Sequence, residues 1–352
     1  MLPLSAADAI SPAIQRTRTF LFRPFRFGTY LKLCLVALLT EGLGGNGGNF
    51  NFPGGGHTPH HQSSFVSPFH LTPLWMGVLA TAVVFGVALG ILLFYLITRL
   101  RFAYFHCLAN NIREIRPGWH RYRDPANRFF LLNLAVALGF LVLLVSVALP
   151  FVAGFWRLYR QSQAGGRPDF GAILALVLPL IPIVLLLVLL AVAADIILRD
   201  FMLPHFALED ASAGEAWSAV WARIRTQIGS FLLYGLLRVL LPIVAMIALF
   251  IVLIIPAILF IAAVALFEVA VHAVFAGGSG LAVFAGILIQ VLIGLFAFLI
   301  ATLIGICVGG PISTAIRQYA LLFYGGRYRP LGDILSPPPP MAPPAPAAPG
   351  MA

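Results

Sequence analysis

Apolar positions run almost without interruption over residues 231–308, where Arg238 and Glu268 carry the only formal charges. A helical crossing takes about 20 apolar residues, so this run crosses a bilayer more than once. Separate apolar runs at about 30–43, 74–98, 129–156 and 170–197 predict four crossings, and the long run supplies two more, at about 241–275 and 281–308. Gly277-Gly278-Ser279-Gly280 forms the turn between those two. The pattern predicts an all-α polytopic integral membrane protein of six transmembrane helices, a single membrane domain over residues 1–335.

Between the runs, apolar and polar residues alternate at helical period. Ser212-Ala213-Gly214-Glu215 has the Ser-x-x-Glu form of a capping box, and Trp217, Val220, Trp221, Ile224 and Ile228 follow on one face. An amphipathic interfacial helix is therefore expected over about 212–230. A second, over about 5–27 with its start near Ser5 or Ser11-Pro12, interleaves Arg16, Arg18, Arg23 and Arg26 with Phe20, Phe22, Phe25 and Phe27, a mixture suited to a headgroup layer. A third is expected over about 311–325. The helix of the second crossing should run on past the membrane until Pro117-Gly118 stops it. Pro179, Pro182 and Pro256 predict kinks inside their spans.

Residues 44–73 are rich in Gly, Asn, Pro, Ser and His and contain no Lys, Arg, Asp or Glu, the composition of an external loop. Residues 336–352, Pro and Ala rich with Pro337 to Pro340 in a row, read as a disordered tail.

The chain has 352 residues, 61% hydrophobic and 10% charged, against about 25% charged in an ordinary soluble domain. Its net charge of +10 sits in arginines between apolar runs rather than in one basic domain, which argues against nucleic acid as a partner and for orientation in a membrane. The arginines at the N-terminus, in 99–128 and in 199–225 alternate with the uncharged 44–73 loop and the smaller 157–167 loop. Under the positive-inside bias the N-terminus is cytoplasmic, and Arg317, Arg327 and Arg329 bring the C-terminus to the same side, so the number of crossings is even. Splitting the long run at Pro256 would give seven crossings and an external C-terminus. Residues 1–15 lack the basic start and apolar core of a cleaved signal, so the first crossing is its own insertion signal. Cys34, Cys107 and Cys307 form no CxxC pair and read as reduced packing residues.

Three polar groups are candidates for chemistry. His57, His60 and His61, with His70 nearby, form a group of imidazoles that suits a transition metal, although in a Gly and Pro rich loop. Glu268 and His272 stand one helical turn apart towards the external end of the fifth span, and Glu41 towards that of the first, a combination that suits proton relay or cation binding. Arg238 in its apolar setting calls for a partner: Asp195 is the first choice for a structural ion pair, with Asp200, Glu209 or lipid headgroups as alternatives. Headgroup contacts are expected from Arg16, Arg18, Arg23, Arg26, Trp217, Trp221 and Arg317. Phosphate-loop, Gly-x-Ser-x-Gly, His-Glu-x-x-His and calcium-loop patterns are missing, so no cofactor and no catalytic residue is assigned.

Short blocks along the chain, Phe22-Arg23-Pro24-Phe25, Gly48-Asn49-Phe50-Asn51-Phe52-Pro53, Arg199-Asp200-Phe201 with Pro204, Glu215-Ala216-Trp217, and Arg317 with Tyr319, resemble a group of uncharacterised bacterial multi-span proteins. That group is similar to the membrane domain found beside glycerophosphodiester phosphodiesterases. The resemblance implies six helices with amphipathic segments at the cytoplasmic face and no catalytic residues; the phosphodiesterase is a separate barrel domain that this chain lacks.

The expected function is a non-enzymatic protein of the cell membrane, both termini cytoplasmic, that organises anionic lipid, partner proteins or further copies of itself. A transporter or permease using Glu41, Glu268 and His272 is the second reading. A membrane enzyme holding metal on the loop histidines is the third.

Overall fold

Long apolar runs without polar punctuation leave the backbone one way to satisfy itself in lipid, and they become long helices. The structure is a computed structural model that describes residues 4–42, 73–163, 170–275 and 277–336. Eleven α-helices follow one another among these residues, with no strand: α1 (Ile10–Phe22), α2 (Phe27–Glu41), α3 (Pro73–Asn110), α4 (Ile115–Arg121), α5 (Arg123–Gln163), α6 (Phe170–Ile196), α7 (Leu203–Leu208), α8 (Ala213–Thr226), α9 (Ile228–Phe275), α10 (Gly280–Gly325) and α11 (Arg329–Leu335). A π-helical turn, Ile197–Met202, joins α6 to α7.

Five helices, α3, α5, α6 with its continuation, α9 and α10, are long and apolar enough to cross a membrane. α9 has 48 residues and α10 has 46, about 70 Å each at 1.5 Å per residue. The hydrocarbon layer is about 30 Å thick, so these helices extend well beyond it. No residue in the most apolar 18-residue window of any of the five is buried, whereas the last turns of α3 and α10, the π turn and the first turns of α5 and α9 are packed together with α1, α2, α4, α7, α8 and α11. The molecule is thus a packed helical base from which long spans project.

Aromatic rings hold the base. Tyr234 lies between Tyr319 and Phe323, with ring centroids 5.1 and 4.3 Å away, and Phe201 meets Phe231 edge-on at 5.1 Å. Phe129 makes edge contacts with both Phe102 and Phe206. The two ends of the described chain meet here: Arg327 Nη1 donates to the Leu4 carbonyl at 3.0 Å and Arg16 Nη1 to the Leu335 carbonyl at 3.2 Å.

Local signals explain the breaks. α3 ends at Asn110 and not at Pro117-Gly118, because Asn111 takes a left-handed φ of 56° and the Ile112 amide returns to the Cys107 carbonyl at 2.9 Å, the bond of a Schellman end. Pro117 and Gly118 lie inside α4, where a Cβ on Gly118 would come within 2.9 Å of the Ala103 Cα. α8 starts with the expected capping box, Ser212 Oγ accepting from the Glu215 amide and the Glu215 carboxylate from the Ser212 amide. These bonds hold the Glu215 carboxyl below its usual range.

Three expectations are corrected. The seven-crossing alternative fails, since α9 runs unbroken through Pro256. Residues 311–325 do not form a separate interfacial helix: α10 continues through Pro311, and its face from Thr314 to Gly325 is core. The helix of the predicted first crossing is shorter than a full span. α2 has 15 residues, about 22 Å against about 30 Å of hydrocarbon. It packs instead across α10, where Gly310 removes the side chain that would otherwise place a Cβ 2.6 Å from the Cys34 Cα, and Tyr30 Oη donates to the Cys307 carbonyl at 2.6 Å. Among the described residues five helices are thus long and apolar enough to cross, with α2 as the short sixth candidate. The 44–73 loop up to residue 72, and the tail from residue 337 on, lie outside the described residues.

Candidate functional site

Each of the helices α3, α6, α9 and α10 carries charge just where its apolar run meets the base, and those charges converge. Asp200, on the π turn, is completely enclosed: its Oδ1 accepts from Arg317 Nη1 at 2.8 Å, and its Oδ2 from Arg238 Nε at 3.0 Å and Tyr234 Oη at 2.8 Å. Glu41, the last residue of α2, meets Arg199 Nη2 and Arg238 Nη2, both at 3.1 Å, and its other oxygen lies 3.9 Å from Arg317 Nε. Arg199 also reaches Asp195 one turn earlier, at 3.4 Å. Arg101 of α3 donates from Nε to the Thr40 carbonyl at 3.2 Å, and Arg199 Nη2 donates to the same oxygen.

The π turn makes this possible. A wider turn narrows the angle between successive side chains, and four residues in a row, Arg199, Asp200, Phe201 and Met202, are buried. Arg199 serves Glu41 and Asp195 while Asp200 serves Arg238 and Arg317. A buried ion network is stable only if its lone pairs and protons are satisfied, and both oxygens of Asp200 are. Arg317 also donates to the Arg199 carbonyl at 3.0 Å, tying α10 to the turn's backbone.

The sequence-derived candidates are redistributed. Glu41 does not join Glu268 and His272: these two are exposed on α9, and Glu268 stands 30 residues beyond Arg238, about 45 Å along the helix. Arg238 does not pair with Asp195 but with Glu41 and Asp200, because Asp195 is taken by its i+4 neighbour Arg199. Arg317 is no headgroup contact; it is buried in the cluster. Arg16 is half-buried and bound to the carbonyls of Leu108, Ala109 and Leu335. Arg18, Arg23 and Arg26 are exposed, as are Trp217 and Trp221, whose rings stack at 6.0 Å. His57, His60 and His61 lie outside the described residues.

Arg101, Arg199, Thr40 and Tyr234 belong to the cluster, and none of them has a role in a site on sequence grounds; Arg199 stands out only in the block Arg199-Asp200-Phe201. The available signal was positional: Arg101, Asp195, Arg199, Asp200, Arg238 and Arg317 all flank apolar runs.

A second polar group occupies the base. His205 Nδ1 lies 2.8 Å from Glu209 Oε2 and its Nε2 lies 2.8 Å from Tyr324 Oη, with the Tyr328 ring tilted against it at 4.2 Å. The ring is buried, so it reads as a packing element.

No curated protein and no solved structure matches the chain. A family of unknown function, DUF7544, matches over residues 4–334, and the chain belongs to that family.

Proposed function

We propose that the protein is a non-enzymatic module of the cell membrane that gathers anionic lipid around a rigid cytoplasmic base. The observation that carries this reading is the contrast between that packed base and the projecting spans, none of whose most apolar windows is buried. Much of the surface of such spans is available to lipid or to other membrane helices.

The outward face of the base suits headgroups. Phe22, Phe25 and Phe27 are 43, 55 and 54% exposed beside exposed Arg18, Arg23 and Arg26, an arrangement in which rings enter the acyl boundary and guanidinium groups meet phosphates. Arg225 lies over Trp221 at 5.1 Å beside stacked Trp217, another amphipathic anchor. Both chain ends meet in the base, which supports termini on one side, and the arginines there favour the cytoplasmic side. The resemblance to the membrane domain found beside glycerophosphodiester phosphodiesterases fits a role without hydrolytic chemistry.

A permease loses its motive, because Glu41 contacts Arg238, about 45 Å along α9 from Glu268 and further still from His272. The test is lipid selectivity. In phosphatidylcholine vesicles holding the full chain, spin-labelled phosphatidylglycerol should show a larger motionally restricted fraction than spin-labelled phosphatidylcholine. Replacing Arg18, Arg23 and Arg26 with Gln should reduce the difference. Equal restriction of the two lipids contradicts the proposal.

A further inference from the structure

We infer that the buried charge cluster contains a binding site for one phosphate oxyanion, at Arg101 and Arg199. The inference rests on the lipid reading above and names a specific ligand for it. Four guanidinium groups meet three carboxylates in the cluster, which leaves one positive charge over.

The excess is at Arg101. Its Nε donates to the Thr40 carbonyl, an oxygen it shares with Arg199, so two like charges converge on a single neutral acceptor. Thr40 lies in the last turn of α2, whose dipole offsets only part of a full charge. Arg199 Nε, also buried, has no hydrogen-bond partner among the described residues. Burying an uncompensated charge is costly, and no other carboxylate of the described residues lies within salt-bridge distance of these guanidinium groups. Glu209, Asp210 and Glu215 are engaged by His205, Arg128 and Ser212. Residues 43–72 contain no acidic residue, and Asp169, just before α6, is 26 positions from Asp195. The compensating anion therefore comes from outside the chain.

Depth and geometry point to phosphate. The cluster stands where the apolar runs of α3, α6, α9 and α10 end, the depth at which headgroups lie. Asp195, on the same side as Arg101 and Arg199, is 35% exposed at its side chain, so the cluster opens there. Paired guanidinium forks match the oxygens of a phosphodiester, and a lipid headgroup and a free phosphate share that chemistry.

The test uses the full chain. Native mass spectrometry after release from mixed phosphatidylcholine and phosphatidylglycerol bilayers should find one retained phosphatidylglycerol per chain. Arg101→Gln should weaken its retention about tenfold, the loss of a charge-assisted contact, whereas Arg101→Lys should keep it. Folded Arg101→Gln protein that retains lipid as the wild type does overturns the site. If that variant does not fold, the wild type decides: in neutral detergent its Tm should rise with phosphatidylglycerol or with inorganic phosphate. A rise with phosphatidylglycerol alone assigns the site to lipid, a rise with phosphate alone assigns it to the free ion, and a rise with neither overturns it. Replacing Arg18, Arg23 and Arg26 should leave the retained lipid in place, so loss of general selectivity and loss of this site are separate results.

Discussion

Arg238 Nη2 lies 3.1 Å from Glu41 Oε2, a bond between residues 197 positions apart that joins the end of α2 to the beginning of the long helix α9. Through Asp200 the same guanidinium reaches the π turn, and through Asp200 again Arg317 brings in α10. Three crossing helices and α2 are thus fastened at one point where apolar packing gives way to charge.

Asp200→Asn removes the charge that compensates both Arg238 and Arg317. Breaking a buried pair in this way is expected to destabilise the fold by about 3 to 5 kcal/mol. A double-mutant cycle of Asp200→Asn with Arg317→Gln, followed by denaturant unfolding in detergent, should give a coupling of about 0.5 to 3 kcal/mol. Strict additivity would mean that the two side chains do not interact.

Gly310 sets the contact between α2 and α10. In Gly310→Ala the added Cβ lies 2.6 Å from the Cys34 Cα, and relieving that overlap should cost about 1 to 3 kcal/mol. The change should appear as maleimide reactivity at Cys34, which is buried in the native packing. Unchanged protection of Cys34 would place α2 elsewhere.

The capping box of α8 predicts a local pH dependence. The Glu215 carboxyl is held below its usual range by bonds from Ser212, so its stabilising contribution is present above the unfolded pKa and is lost as pH falls through the lowered folded value. Between about pH 6 and about pH 3, hydrogen exchange of the first α8 amides should accelerate in the wild type relative to Glu215→Gln, because Gln keeps the bond to the Ser212 amide without titrating. Parallel behaviour of the two proteins would contradict the cap's role. Ser212→Ala should cost about 1 kcal/mol at neutral pH.

Most of the architecture was legible because its signals are local. Apolar runs at 74–98, 129–156, 170–197, 241–275 and 281–308 all fall within long helices, and Ser212 with Glu215 marked the start of α8 correctly. Run length does not tell how far a helix extends past the lipid, so the burial of α10 beyond Thr314 was hidden behind its mixed composition. The site was less legible. Glu41 was assigned to an external surface by counting α2 as a full crossing, although α2 is about 8 Å short of the hydrocarbon thickness. That one misplacement created a polar group with Glu268 and His272 and concealed the actual one with Arg199 and Arg238. Partner choice among Asp195, Asp200 and Glu209 depended on the π turn, which has no sequence pattern of its own.

The position of Glu41 decides between a charge cluster that fastens the base and a polar site at the far ends of the spans. Double electron–electron resonance between spin labels at Leu39→Cys and Glu268→Cys, with Cys34, Cys107 and Cys307 replaced by Ala, measures it directly. A separation of about 45 Å, the length of α9 between Arg238 and Glu268, is the result expected here. A separation under about 20 Å, the reach of about 13 helical residues, would return Glu41 to the neighbourhood of Glu268 and His272 and contradict the account.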